Sequence, residues 1–143
     1  MIMLKSTLEL LNKSIKDIRF ECGGILGSSQ NEIIDNVVFD DIRHQKRIRC
    51  SYAPNVEFLN KCILQWQQEN IRFWGMFHTH FAGVKTLSEA DETYIRIIMN
   101  AMPEEIYCLY FPIYVLPERE LVGYVAKRTL GDIKIESNDV IIK

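Results

Sequence analysis

Apolar residues recur at spacings of three and four in three stretches of the chain, and this period predicts three amphipathic helices. The predicted helices cover residues 4–18, 55–69 and 88–102. Pro54 and Asn55 favour a helix start at the second, and Pro103 ends the third. The apolar face of the first helix consists of leucines and isoleucines: Leu4, Leu8, Leu11, Ile15 and Ile18.

Shorter apolar runs, rich in β-branched and aromatic residues, predict the strands. They cover residues 20–26, 33–39, 48–52, 71–80, 106–116 and 121–127, with the alternating tail 131–143 as a further edge strand. Turn residues at 27–31 and 117–120 predict two hairpins. Pro112 has no N–H to donate, so its strand is expected to be an edge strand or to be broken there.

This mixture of helices and hairpin-connected strands predicts a mixed α/β (α+β) fold, with helices packed against a twisted sheet. A chain of 143 residues suits one domain, which we assign to residues 1–143. A domain of this size buries enough surface that neither a metal nor a disulfide is needed for folding.

Charge and composition exclude several classes of function. The formal net charge is -2, and the basic cluster at 43–49 is interpreted as a solvated loop, so we expect no nucleic-acid partner. No apolar run approaches the ~18 residues of a membrane span, and residues 1–18 lack the apolar core of a secretory signal. The four cysteines form no C-x-x-C pair, which favours free thiols in a reducing compartment. We therefore expect a cytoplasmic protein without a membrane partner.

The candidate chemistry lies at the end of the strand predicted at 71–80. His78 and His80 are two positions apart, so on a strand both point to one face. Together with Asp91, in the first turn of the next helix, they form a three-ligand zinc set with an open coordination position. The alternative is two polar residues on a half-buried strand. The remaining histidine, His44, lies in the basic cluster and is expected to be exposed.

Two further residues have both an ordinary and a functional interpretation. Ser88 and Asp91 have the spacing of a capping box, which explains both without a metal but does not exclude a role for Ser88 in the site. Glu21 precedes a glycine-rich strand and could be a surface charge. A hydrolytic zinc site needs a base that is not a ligand, and Glu21 is a candidate on that ground only.

These residues together resemble the motif of the JAMM (MPN+) metalloprotease family, in its compact prokaryotic-type form. The matching pattern is Glu21 with Gly24-Ile25-Leu26-Gly27, then Trp74-Gly75, His78-x-His80, seven residues, Ser88, two residues and Asp91. The resemblance spans about residues 20–128. It implies the MPN/JAB (cytidine-deaminase-like) fold, a curved mixed sheet flanked by helices. It also implies Zn²⁺ on His78, His80 and Asp91, Glu21 as general acid/base, and Ser88 as stabiliser of the oxyanion.

The resemblance also implies the substrate: a peptide or isopeptide bond after the C-terminal tail of a ubiquitin-like or sulfur-carrier protein. Phe81 and Leu87 stand where many members have proline, which bears on loop shape and substrate contact. One alternative is a catalytically inactive MPN-type interaction module, although such proteins usually lack ligands. A zinc deaminase would need H-x-E and P-C-x-x-C, which the chain lacks. A structural zinc would need a fourth Cys or His. The sequence does not indicate an oligomeric state.

Overall fold

The computed structural model describes residues 1–30, 32–40 and 52–143. Within them the helices are α1 (Lys5–Ile15), α2 (Val56–Gln68) and α3 (Glu89–Ala101). The strands, in chain order, are β1 (Ile2–Met3), β2 (Gly23–Ser28), β3 (Ile33–Ile34), β4 (Asn36–Phe39), β5 (Arg72–Phe81), β6 (Cys108–Tyr110), β7 (Ile113–Leu116), β8 (Glu120–Val122), β9 (Tyr124–Thr129), β10 (Asp132–Ser137) and β11 (Ile141–Ile142). No helix in these ranges is long and apolar enough to cross a membrane.

A mixed sheet with β5 near its centre forms the body of the fold. Its strand order is β10-β9-β6-β5-β2-β4, and β7 also pairs with β5 and carries β8 on its other edge. Strand β5 is antiparallel to β2 and parallel to β6 and β7. The short strands β11, β1 and β3 form a separate parallel sheet. Strand β5 therefore has neighbours on both sides along its length.

Helices cover both faces of this sheet. The adjacent residues Ile25 and Leu26 of β2 belong to different apolar clusters, because consecutive residues of a strand point to opposite faces. The Ile25 cluster is built by α2 and α3, and the Leu26 cluster by α1 and the small sheet. This arrangement is the predicted mixed α/β sheet flanked by helices.

A β-bulge in β5 changes which face its side chains occupy. Leu26 pairs with Gly75 and Gly27 with Phe73, so Trp74 has no partner residue on β2. Phe73 and Trp74 pack on opposite faces before the bulge, and the alternation restarts after it. Gly75 has φ +147°, and a Cβ there would lie 1.8 Å from the Tyr110 carbonyl oxygen, so only glycine fits.

The predicted helices are confirmed, with ends within three residues of those expected from the sequence. Several strand predictions need correction. The strand predicted at 33–39 is divided at Asp35 into β3 and β4, which belong to different sheets, and only β4 forms the hairpin with β2. Strand β2 continues through Gly27 and Ser28, which were predicted as turn.

Two of the later predicted strands are also divided, at Pro112 and at Gly123. The predicted break at Pro112 is confirmed, separating β6 from β7. The strand predicted at 121–127 is divided at Gly123 into β8, which pairs with β7, and β9, which pairs with β6 and β10. The predicted edge strand in the tail is β10. Of the strand predicted at 48–52, Tyr52 is not in a strand and the rest lies outside the described residues, as does His44.

Candidate metal centre

The end of β5 and the first turn of α3 bring three candidate ligands together. Gly23 of β2 pairs with His78, which fixes the end of β5 in the sheet. After the bulge, His78 and His80 lie at alternate positions with Met76, whose side chain packs in the α2–α3 cluster. Both imidazoles therefore point to the face that α3 covers, where Asp91 lies in its first turn.

The separations between the donor atoms fit a small metal ion. One donor atom from each of His78, His80 and Asp91 lies within 4.8 Å of the others. Asp91 Oδ1 is 3.3 Å from His78 Nε2, and Asp91 Oδ2 is 3.4 Å from His80 Nε2. Tetrahedral zinc bonds of ~2.0–2.1 Å require donors about 3.3–3.4 Å apart. The two Nε2 atoms are closer, at 2.9 Å, the distance of a hydrogen bond between the rings.

The surroundings of Asp91 favour the ionised form of its side chain. Its side chain is 22% exposed, against 13% for His78 and 8% for His80. Burial alone would raise the pKa of Asp91, but hydrogen bonds from both histidines and Ser88 outweigh it and hold that pKa well below its usual range. The hydrogen bond to Asp91 raises the pKa of His80. A nitrogen, nitrogen and carboxylate set of this kind is a donor set for zinc.

Ser88 and Asp91 form the capping box that the sequence predicted, at the start of α3. Asp91 N donates to Ser88 Oγ at 3.2 Å, and Ser88 N donates to Asp91 Oδ2 at 2.7 Å. The Ser88 hydroxyl also donates to Asp91 Oδ2 at 2.7 Å. The capping box therefore fixes the rotamer of the Asp91 carboxylate while leaving Oδ1 toward His78.

The loop after β5 orients the second histidine. His80 Nδ1 lies 3.2 Å from the Val84 carbonyl oxygen, which can only accept, so Nδ1 carries the hydrogen. In a neutral imidazole this leaves the Nε2 lone pair directed at the cluster, the arrangement that metal-binding histidines usually have. Tyr124 holds the loop in place by donating to the Lys85 carbonyl oxygen at 2.9 Å, and the Lys85 side chain pairs with Glu120.

Glu21 reaches the site from the segment just before β2. Its neighbour Cys22 accepts a hydrogen bond from Thr79 N at 2.8 Å and donates one to Thr79 Oγ1 at 2.9 Å. This register sets Glu21 beside His80. Burial raises the pKa of Glu21, an effect that His80 and His78 oppose electrostatically. The carboxylate also receives a hydrogen bond from the backbone of Tyr52. Glu21 is therefore held half-buried near the three candidate ligands and is not one of them.

All five sequence-predicted site residues line one pocket of about 700 Å³. Sequence reasoning missed the rest of its wall, which is largely apolar and aromatic. Tyr94, Ile95 and Ile98 could have been found, because they follow Asp91 at helical spacing. Tyr52 and Phe111 carry no such signal, since they reach the pocket from segments distant in sequence. The catalytic and metal-binding roles of the five residues stay predictions.

Comparisons with known proteins give matches in structure alone. No protein-family model matches the chain, and a search of curated proteins gives no significant match. A solution structure of DSY2949 from Desulfitobacterium hafniense matches with a TM-score of 0.68 at 16% identity, covering 100% of this chain and 93% of that one. The crystal structure of AF2198, a JAB1/MPN domain protein from Archaeoglobus fulgidus, matches with a TM-score of 0.59 at 13% identity, covering 100% and 97%. The chain therefore has the fold of a JAB1/MPN domain protein.

Proposed function

We propose that this chain is a zinc-dependent peptidase or isopeptidase of the JAMM type. Its substrate would be the amide bond after the C-terminal tail of a ubiquitin-like or sulfur-carrier protein. The observation that supports this best is the meeting of His78, His80 and Asp91 with Glu21 in one pocket, on a JAB1/MPN fold. Three candidate ligands and a separate carboxylate lie together, and metal-assisted hydrolysis needs both.

His78 Nε2, His80 Nε2 and one Asp91 oxygen would hold the ion. Zinc bound there supplies a Lewis acid for the carbonyl and a water whose pKa is lowered to roughly 7. The Ser88 hydroxyl of the capping box fixes the Asp91 carboxylate. The Val84 carbonyl fixes the tautomer of His80. The rigid first turn of α3 and the paired end of β5 thus pre-organise the donors.

Glu21 moves the proton in this proposal. Its carboxylate accepts a proton from the attacking water and returns it to the leaving amine. A pKa raised by burial makes it a better base than an exposed glutamate. Ser88 has a more demanding role, since its hydroxyl donates to Asp91 in this structure. It stabilises an oxyanion only if that hydrogen bond is exchanged for one to the substrate.

We also propose a cytoplasmic location, on the ground that the cysteines of the described ranges, Cys22, Cys62 and Cys108, are free thiols.

The rival function is an inactive MPN-type interaction module. An inactive module is not expected to keep all three candidate ligands and the candidate base Glu21 in one pocket. The two functions differ in a direct test of turnover.

Metal binding is tested by elemental analysis of the purified protein. We expect one zinc per chain in the wild type and loss of that zinc in His78→Ala and in His80→Ala, because two remaining donors hold zinc poorly. Full zinc occupancy in the double histidine variant would exclude this site as the metal centre.

Turnover is tested with a panel of ubiquitin-like and sulfur-carrier proteins that carry C-terminal extensions, read by intact mass. Glu21→Gln should keep zinc and lose at least about 10²–10⁴-fold in rate, the usual contribution of general acid–base catalysis. Glu9→Gln is the matched control, since Glu9 is exposed on α1. A Glu21→Gln protein as active as the wild type removes Glu21 from the mechanism. Zinc-loaded protein that binds members of the panel but cleaves none supports the interaction module instead.

A further inference from the structure

Tyr52, which lines the pocket of the candidate metal centre, contacts three separate parts of the chain. Its hydroxyl donates to Asp40 Oδ2 at 2.8 Å, just after the end of β4. Its ring lies against Gly23 of β2, where a Cβ would be 2.5 Å from Tyr52 Cε1. Its backbone N–H donates to the carboxylate of Glu21. One residue therefore links the end of β4, the start of β2 and the candidate base.

Asp40 is a buried anchor for the tyrosine hydroxyl. It is 3% exposed, and its N–H donates to the Gly23 carbonyl oxygen at 2.9 Å, next to the paired strands β2 and β4. The oxygen that accepts the hydroxyl of Tyr52 also accepts the Asn55 N–H at 2.7 Å. A buried carboxylate needs such donors, because its loss of hydration is costly. Burial, and then the charge of Asp40, raise the pKa of Tyr52 well above its usual range, so the hydroxyl keeps its proton and donates.

The side chain of Glu21 depends on this arrangement for its orientation. Glu21 precedes β2, so strand pairing does not fix its side chain directly. Within the described ranges, the Tyr52 N–H is a hydrogen-bond donor to its carboxylate. A general base must lie within about 2.6–3.2 Å of the proton that it abstracts, so a carboxylate that turns freely is less effective. The position of Tyr52 therefore matters to Glu21.

We propose that Tyr52 and Asp40 are positioning residues that hold the Glu21 carboxylate beside the candidate ligands. Asp40 fixes the hydroxyl, the ring packs along Gly23, and the Tyr52 N–H is thereby directed at Glu21. The catalytic consequence rests on the proposed peptidase function, whereas the hydrogen-bonded arrangement does not. The alternative is that these contacts only stabilise the start of α2, since Asp40 also accepts the Asn55 N–H there.

The first test follows the amide of residue 52 by NMR in uniformly ¹⁵N-labelled protein. Tyr52→Phe removes the hydroxyl and keeps the ring and the N–H. The amide proton should move upfield and exchange with solvent at least about 10-fold faster, because one hydrogen bond that anchors the residue is lost. Glu21→Gln should also move it upfield, since a bond to a neutral amide is weaker than one to a carboxylate. An unchanged amide in Tyr52→Phe would overturn the proposal.

The second test measures turnover of the panel member that the wild type cleaves fastest. Tyr52→Phe should lower kcat about 10- to 100-fold, the loss expected from a misplaced catalytic group, and should change KM less than about threefold. Zinc content by elemental analysis should stay at the wild-type value, since Tyr52 is not a candidate ligand. A wild-type kcat in Tyr52→Phe would reject the positioning role and leave the peptidase in place.

Tyr114→Phe is the matched control for loss of a tyrosine hydroxyl. The Tyr114 hydroxyl donates to Asn12, and its ring packs in the Leu26 cluster on the opposite face of the sheet. This variant should be destabilised to a similar extent and keep the wild-type kcat. A loss of kcat as large as that of Tyr52→Phe would show that lost stability, rather than positioning, explains both results.

Asn55→Ala is the control for the start of α2. It removes the side chain that caps the helix and keeps the Asn55 N–H that donates to Asp40. The melting temperature should fall while kcat stays at the wild-type value. If kcat falls as far as in Tyr52→Phe, the alternative interpretation is correct and the contacts serve α2 alone.

The two tests together separate failure of this inference from failure of the proposed function. Changes at the amide of residue 52 without cleavage of any panel member by the wild type would keep Tyr52 and Asp40 as the residues that hold Glu21, and would reject the peptidase. Cleavage by the wild type with an equal kcat in Tyr52→Phe would reject the positioning role alone.

Discussion

Replacing Ser88 by alanine separates two roles that this residue has at the start of α3. Its hydroxyl oxygen accepts the Asp91 N–H at 3.2 Å, which caps the helix. The same hydroxyl donates to Asp91 Oδ2 at 2.7 Å, which fixes the carboxylate that we propose as a metal ligand. Loss of the first bond affects folding, whereas loss of the second affects the ligand.

The stability effect follows from the capping energy. Removing a serine cap costs about 1 kcal/mol. A chain of 143 residues unfolds with an entropy of roughly 0.3 kcal/mol/K, from about 2.1 cal/mol/K per residue. The melting temperature of the metal-free protein should therefore fall by about 3 °C. The backbone N–H of Ser88 still bonds Asp91 Oδ2, so the helix start is weakened but kept.

The effect on metal binding is larger than this stability loss. Partners that orient a metal ligand are typically worth about 10- to 100-fold in metal affinity. We therefore expect Ser88→Ala to bind zinc that much more weakly, in a competition titration with a chelating dye. Ser88→Thr should recover most of the loss, because threonine keeps the hydroxyl.

Asn55→Ala is the control that distinguishes capping from positioning. Asn55 caps α2 by accepting the Phe58 N–H at 3.2 Å and contacts none of the ligands. It should lower the melting temperature by a similar amount and leave zinc affinity unchanged. Equal zinc affinities for Ser88→Ala, Asn55→Ala and wild type would refute the positioning role and leave Ser88 as a cap alone.

Three further predictions concern the frame of the site. Gly75→Ala should destabilise the fold by at least about 2–3 kcal/mol in urea unfolding, because its Cβ would meet the Tyr110 carbonyl at 1.8 Å; a neutral result contradicts the bulge. Burial raises the pKa of Cys22 from 9.0 to about 11, so above about pH 9 the folded state retains a proton that the unfolded state loses. The free energy of unfolding should therefore fall between about pH 9 and 11, and Cys22→Val should reduce the slope of that fall against pH. Zinc removal by a chelator should leave the circular dichroism of a folded protein, since the apolar clusters form without metal; unfolding would indicate a structural ion.

Local pattern was sufficient to predict part of this structure. The helices follow from apolar spacing, and the capping box of Ser88 and Asp91 is visible within four residues. The pair His78 and His80 shares a face because they lie after the bulge, where alternation is regular. In each case the interaction that decides the structure is contained in one element.

Long-range contacts decided what the sequence could not predict. Glu21 reaches the ligands only through the pairing of Cys22 with Thr79, a contact across 57 positions of the chain. The division of residues 33–39 follows from the pairing of β3 with β1, which pulls Ile33 and Ile34 into the second sheet. The bulge at Trp74 is visible only when the partner register is known. The motif resemblance named Glu21 as a site residue, but motif spacing does not show these pairings.

The same face of α3 anchors the helix and presents Asp91, the proposed ligand. Asp91, Ile95 and Ile98 lie four and seven positions apart, so the carboxylate and the buried isoleucines share one stripe. Ile95 and Ile98 pack in the cluster that also holds Met76 of β5, two residues before His78. Core packing therefore contributes to the distance between Asp91 and the histidines. A core substitution that shifts α3 on the sheet should weaken zinc binding even though it contacts no ligand.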